Sequence, residues 1–274
     1  MKKLAVCGKG GCGKSTLVAL LADVMNHRNF SVLVVDSDES NAGLYRKLGF
    51  DKAPEPLMEM IGGRKGIKEK MGAKSVVKDI EPRTTVLTSN KIQLGDIPAG
   101  NIVRKDGISM VSIGKILHAL EGCACPMGVL NREFLKKLQM KSDELVLVDM
   151  EAGVEHFGRG VEASVDSVLI VVEPSFESLE FADRVNGLAM DIGITNIWTV
   201  LNKITSKEMA SNLKDKLNQR RIAVVGCIHY DTEIFKAELD GHATSGIKAE
   251  DDAEKLLDIL LDHGGRGVRD IVER

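Results

Sequence analysis

Residues 8–16 read Gly8-Lys9-Gly10-Gly11-Cys12-Gly13-Lys14-Ser15-Thr16, placing glycines, lysines and hydroxyls at the spacing of a phosphate-binding loop. Glycines free the backbone to turn successive N–H groups toward phosphate oxygens, and Lys14 supplies positive charge for the outer phosphates. The Ser15 hydroxyl suits a magnesium ion carried with the nucleotide. The predicted chemistry is binding of a nucleoside triphosphate with magnesium. Gly8, Gly10 and Gly13 also satisfy the G-x-G-x-x-G dinucleotide fingerprint, with Asp36 and Asp38 downstream at about the distance of a ribose acceptor. That fingerprint gives no reason for Gly13-Lys14-Ser15, so the triphosphate reading is preferred.

Carboxylates are the natural complement, because phosphoanhydride hydrolysis needs charge neutralisation and a positioned water more than covalent chemistry. Asp149 ends an aliphatic run and precedes Met150-Glu151-Ala152-Gly153, which reads as a switch segment sensing the γ-phosphate. Asp38 is the candidate for orienting the attacking water and Asp36 for supporting magnesium, though the two could exchange roles. Asn202, followed by Lys203-Ile204-Thr205, is a plausible base-reading amide. The guanine signature N-K-x-D lacks its aspartate there, which favours adenine. Lys9 is a second cation where Lys14 already serves, an arrangement that makes sense if Lys9 reaches the nucleotide of a partner subunit.

Cys123-Ala124-Cys125-Pro126 is a second chemical feature. In an extended segment residues two apart point the same way, and Pro126 biases Cys125 toward extended geometry, so both sulfurs could face one ion. A disulfide would be awkward, since the Cα atoms would lie about 6.6 Å apart by strand rise, near the limit for bridging. Two thiolates are half of a tetrahedral site, and a twofold dimer supplies four. Zinc, nickel, copper(I) or an iron–sulfur cluster would all accept them. Cys7 and Cys227 lie in apolar runs and read as buried hydrophobes, whereas Cys12, beside a helix N-terminus, has a setting that could lower its pKa, though such a residue is more often simply a small member of the loop.

These residues need elements to hold them. Leu4-Ala5-Val6-Cys7 predicts a buried strand, and Leu17, Val18, Leu20, Leu21, Val24 and Met25 recur at helical spacing in a helix from Ser15 to His27. Its N-terminus brings roughly half an elementary positive charge behind the phosphates. Val32 to Asp36 and Leu145 to Asp149 predict strands that each deliver an aspartate to one sheet edge. Further strands are expected at 167–172, 197–201 and 223–228, and helices at 177–190, 207–218 and 232–239. The alternation predicts an α/β P-loop fold with a mainly parallel twisted sheet, helices on both faces and ligands at the carboxyl edge. Residues 62–107, rich in glycine and lysine with Pro82 and Pro98, read as an irregular insertion holding only short β-like pieces such as Thr85 to Thr88. The chain would return to the sheet at 108–113.

With 274 residues, 43% of them hydrophobic, the chain can bury a large core, and residues 1–274 are expected to form one domain. The net charge of −3 gives no global attraction to nucleic acid or acidic membranes. No run approaches the roughly 18 apolar residues of a membrane span, no signal peptide is evident, and a cytoplasmic location is the expectation.

With Lys9 before Lys14, Asp36-Ser37-Asp38 after the second strand and Asp149 to Gly153 at the switch, the chain resembles the deviant Walker A family of dimeric ATPases. That family includes MinD, ParA, ArsA and the nitrogenase iron protein. Cys123-Ala124-Cys125, the run from Val148 to His156 and Val172-Glu173-Pro174-Ser175 make it similar to the CooC type, the nickel-insertion ATPases of carbon monoxide dehydrogenase. The resemblance implies a homodimer closing around two ATP molecules, Lys9 reaching across, and the cysteine pairs holding nickel or zinc at the interface. It also implies that Lys14, Ser15 and Thr16 contact phosphate and magnesium, Asp38 positions water, Asp149 serves magnesium and Asn202 contacts adenine. One departure is Ile228-His229-Tyr230-Asp231, where relatives often carry proline after the strand, and His229 could instead be pH-sensitive or metal-binding. An electron-transfer ATPase like the iron protein would need a switch cysteine, and residues 150–160 contain none. A membrane- or DNA-positioning ATPase would need a basic face, yet Ala249 to Glu254 opens the last helix with acid.

Overall fold

Aliphatic runs without polar interruption can be covered on both faces only inside a parallel sheet flanked by helices. The computed structural model describes residues 1–40, 42–72, 87–115, 125–158, 160, 164–244 and 249–263. Within them the strands are β1 (Lys3–Gly8), β2 (Ser31–Asp36), β3 (Val103–Lys105), β4 (Ile108–Ser112), β5 (Glu144–Asp149), β6 (Ser167–Val172), β7 (Asn196–Ile204) and β8 (Val224–His229). They form one sheet in the order β3-β4-β2-β5-β1-β6-β7-β8. All neighbours run parallel except β3, which is antiparallel to β4.

Alternate residues of each strand feed two cores. On one face Leu4, Val6, Val34, Leu147 and Val171 meet α1 (Lys14–His27) and α9 (Ala249–His263). On the other, Ala5, Val35, Val148 and Ile170 meet α4 (Cys125–Lys137), α6 (Phe176–Asp191) and α7 (Lys207–Gln219). The remaining helices are α2 (Leu44–Lys47), α3 (Gly63–Gly72), α5 (Glu155–Gly158) and α8 (Thr232–Asp240). The chain leaves β1 for β2 on one side and later returns to β6 on the other. The strand order therefore reverses beside β1, the place where open α/β sheets bind ligands.

Residues 62–107 are more regular than expected at two places, while the described residues 87–102 are largely turns and bends. Gly63 to Gly72 form α3, which buries Ile67 in the second core, and Asp106-Gly107 turns β3 back onto β4. Both turn residues have positive φ, 48° and 85°, as a two-residue hairpin requires. Thr85 and Val86 lie outside the described residues, and Leu87 and Thr88 are not in a strand. Among the described residues no helix is long and apolar enough to cross a membrane.

Helix starts follow their caps: the Ser175 hydroxyl accepts from Ser178 N–H, and Ser206 Oγ accepts from Met209 N–H at 3.1 Å. Helix α7 buries only Leu213 and Leu217 and depends on its cap accordingly. Ser206→Ala should lower stability by about 1 kcal/mol in urea denaturation while leaving nucleotide affinity unchanged.

Candidate functional site

The phosphate loop begins where β1 stops. A Cβ on Gly8 would come within 2.5 Å of Cys12 Sγ and 2.9 Å of the Val171 carbonyl, so the loop can fold over itself only because that atom is missing. Gly13 has φ of 95°, and a Cβ there would overlap the Asn202 amide. That amide donates to the Cys12 carbonyl at 2.8 Å, and the Lys203 ammonium donates to the Gly11 carbonyl at 2.6 Å. In a trans peptide the carbonyl and the next N–H point oppositely, so the Gly13 N–H is turned away from β7. Lys203 is itself held by Glu173 at 2.8 Å. The end of β7 thus pulls two loop carbonyls outward. Lys14 is buried and donates to the Lys9 carbonyl at 3.4 Å. Cys12 is buried too, and burial pushes its thiol up to about 11 despite nearby Lys14, which goes against an acidified thiol and agrees with the alternative of a small loop residue.

Two strand ends carry the acids. Asp36 and Asp149 are register partners on neighbouring parallel strands, and both are buried. Ser15 Oγ donates to Asp149 Oδ2 at 2.6 Å, while Lys115 Nζ pairs with Asp36 Oδ2 at 2.7 Å. Burial raises the Asp149 carboxyl to about 7, with the Asp36 charge adding to the rise. Burial also raises Asp36, to about 6, and the Lys115 ammonium limits that rise. The Oδ1 atom of each aspartate is buried without a hydrogen-bond partner. Asp38 is likewise buried, its Oδ1 accepting from Ser40 N–H at 2.9 Å and from Ser40 Oγ at 2.7 Å. Asp36, not Asp38, is therefore the strand-end neighbour of Asp149. Two orphaned carboxylate oxygens beside a serine hydroxyl form a hard-oxygen donor set that fits magnesium.

The switch segment lies against the loop, since a Cβ on Gly10 would stand 3.8 Å from Ala152 Cβ. Lys9 is on the surface and pairs within its own chain with Glu177 at 3.7 Å. Asn202 lies within β7, which runs past the expected end at residue 201, and ties down the loop in the way described above, a role the sequence did not suggest. His229 Nδ1 lies 2.8 Å from Asp252 Oδ2, so the residue joins β8 to α9. Cys125 is the first residue of α4 with Pro126 in the first turn, a position proline tolerates well, and it is not extended as the sequence reading expected. Cys123 lies outside the described residues, and of Cys125 only the backbone is described.

Sequence reasoning missed several partners. Lys115 binds both Asp36 and the Asp38 carbonyl, and Asn131 donates to Ser37 Oγ at 2.8 Å. Glu238 of α8 accepts from Thr16 Oγ1 and from Lys47 Nζ, clasping α8 to the start of α1. Burial opposes the Glu238 charge, but the Lys47 and Thr16 hydrogen bonds prevail and hold its carboxyl below the usual range. All these pairings span long sequence distances between surface-type residues and leave no periodic signal.

Residues 4–244 match the family model described as the CobQ/CobB/MinD/ParA nucleotide binding domain. The chain belongs to that family. This CobQ/CobB/MinD/ParA member is 39% identical over 239 residues to an ATP-binding protein of Methanocaldococcus jannaschii, covering 87% of this chain and 92% of the relative. It is 35% identical over 272 residues to the carbon monoxide dehydrogenase accessory protein CooC of Rhodospirillum rubrum, covering 96% and 97%. Its fold resembles that of the septum site-determining protein MinD of Pyrococcus horikoshii, solved with Mg-ADP, at TM-score 0.68 and 18% identity over 97% of this chain and 99% of that one. Like the MinD/ParA class generally, it is an ATPase.

The raised Asp149 and Asp36 values fix a pH dependence. Each carboxyl holds its proton more tightly folded than unfolded, so its stabilising contribution is full below the ordinary carboxylate value of 3.8 and is lost as pH rises toward about 6 to 7. Without nucleotide or magnesium, the wild type should be more stable to urea at pH 5 than at pH 8. Asp149→Asn should flatten that slope and gain roughly 1–3 kcal/mol at pH 8, the range for relieving a poorly satisfied buried group.

Proposed function

We propose that this ATPase is a metallochaperone working as a homodimer, coupling ATP binding and hydrolysis to nickel insertion into carbon monoxide dehydrogenase. The observation that carries this reading is the full-length, 35% identity to CooC together with Cys123-Ala124-Cys125 in the same chain. Two cysteine pairs brought together by a twofold axis offer four thiolates, enough for one tetrahedral nickel or zinc ion. Metal binding and dimerisation are then one equilibrium.

Within each protomer the loop N–H groups and Lys14 receive the β- and γ-phosphates, with the positive end of α1 behind them. Ser15, Asp149 and Asp36 would hold magnesium, which when bound with the nucleotide neutralises phosphate oxygens. Lys14, relieved of the Lys9 carbonyl, stays with the phosphates. Asp38, its carboxylate already oriented by Ser40, accepts a hydrogen bond from the attacking water and aims it in line. Asn202 and the residues after β8 form the adenine side of the site. Movement of the segment from Asp149 to Gly153 as the γ-phosphate leaves would loosen the dimer and release the metal to the client.

The exposure of Lys9 supports its action across the dimer. Its side chain is 40% exposed and that of Glu177 is 68% exposed. A surface ion pair at 3.7 Å contributes about 0–1 kcal/mol, so Lys9 can leave it easily for a partner's phosphates. Phe176 next to Glu177 is 69% exposed, an apolar ring at the rim where a second protomer would meet this one.

Two experiments test the reading. Anaerobic nickel and zinc titration with solution mass should give one metal per dimer, and Cys123→Ala with Cys125→Ala should lose the metal while retaining ATP. Full metal stoichiometry in that double variant would refute the shared thiolate site. Lys9→Ala should bind ATP normally yet hydrolyse it roughly 10³-fold more slowly, and unchanged turnover would remove its role in trans.

A further inference from the structure

The segment Asp36-Ser37-Asp38 is gripped from outside by two side chains that belong to neither the phosphate loop nor the switch. Lys115, three residues past β4, sends its ammonium to Asp36 Oδ2 at 2.7 Å and to the Asp38 carbonyl at 2.5 Å. Asn131, in the middle of α4, donates from Nδ2 to Ser37 Oγ at 2.8 Å. Asn131 is 3% exposed and the Lys115 side chain 15%. Three consecutive residues are thus fixed at a carboxylate, a hydroxyl and a carbonyl. Main-chain bonds complete the hold, from Ser37 N–H to the Asp149 carbonyl and from Ile113 N–H to the Asp36 carbonyl, both at 3.0 Å.

We propose that Lys115 and Asn131 are positioning residues for ATP hydrolysis, holding the backbone at Asp38 so that its carboxylate meets the attacking water in line. The proposal rests on Asp38 being the water-orienting residue. Neutralising Asp36 alone would need one bond from Lys115; the second bond, to the Asp38 main chain, is what sets the direction of that side chain. Ser40 then locks the carboxylate from its own side. Positioning matters here more than binding, because displacing a reacting group by about 1 Å can lower a rate roughly 10²-fold.

Asn131 also faces the switch. Its Oδ1 is buried with no hydrogen-bond partner, and the residue lines a cavity of about 20 Å³ together with Ser37, Glu39, Glu151 and His156. The space suits a single water. Asn131 of α4 therefore bonds the water-orienting segment and shares a cavity with Glu151 of the switch segment.

The test is single-turnover hydrolysis of ATP with magnesium, together with ADP affinity by calorimetry, for Lys115→Met, Lys115→Arg, Asn131→Ala and Asp38→Ala. Lys115→Met should lower the hydrolysis rate by roughly 10² with ADP affinity changed less than about threefold. Lys115→Arg, which keeps a charged donor, should recover most of the rate, and Asn131→Ala should lose roughly tenfold with binding intact. Wild-type rate in Lys115→Met, ADP affinity falling in step with rate, or Lys115→Arg as slow as Lys115→Met would each overturn the proposal. Should Lys115→Met fail to fold, Lys115→Arg and Asn131→Ala decide it, and wild-type rates in both refute it. Asp38→Ala separates the two levels. If it hydrolyses normally the underlying assignment of Asp38 is wrong, whereas if it is inactive and Lys115→Met is not, only the positioning proposal fails.

Discussion

Asp36 and Asp149 stand side by side at the ends of adjacent parallel strands, both buried and both acidic. Parallel register alone puts them there, because each strand is a run of aliphatics that stops at its acid. Much of the surrounding structure compensates for that placement. Ser15 gives Asp149 a hydrogen bond, Lys115 gives Asp36 a counter-charge, and each acid still keeps one oxygen without a partner. A site that tolerates this much unsatisfied negative potential is organised for a ligand that brings positive charge.

The phosphate loop obeys a second constraint, the need to display N–H groups with carbonyls turned away. That work falls to Asn202 and Lys203 at the end of β7, and Gly13 is the residue that lets Asn202 approach. Loop and supporting strand are 190 residues apart in sequence, from Cys12 to Asn202, yet meet because β6 and β7 follow β1 in the sheet.

What could be read from sequence follows directly from range. The loop, α1, the aliphatic strands ending in Asp36 and Asp149, and helices α6 to α8 are local patterns, and the structure contains each. The hairpin of β3 and β4 carried a readable signal in Asp106-Gly107, overlooked because glycine and lysine dominate the region around it. Helix α4 was hidden by attention to Cys123 and Cys125, although Pro126 belongs as naturally in a first helical turn as in an extended chain. Lys115, Asn131 and Glu238 gave no signal at all: a lysine, an asparagine and a glutamate read as solvated surface until the fold brings each beside a partner. Lys9 drew attention as a second cation in the loop and Asn202 as a base-reading amide, but their contacts within one chain are an ion pair and a loop tether.

If Asp36 and Asp149 hold magnesium as proposed, the nucleotide cycle is also a proton cycle. Burial raises both carboxyls above the ordinary carboxylate value, so the pair keeps its protons to higher pH than exposed carboxylates would. A divalent cation arriving among those oxygens would expel such a proton, and departure of the cation would let it return. Acidification would then compete with the cation, tying occupancy of the site to the pH of its surroundings.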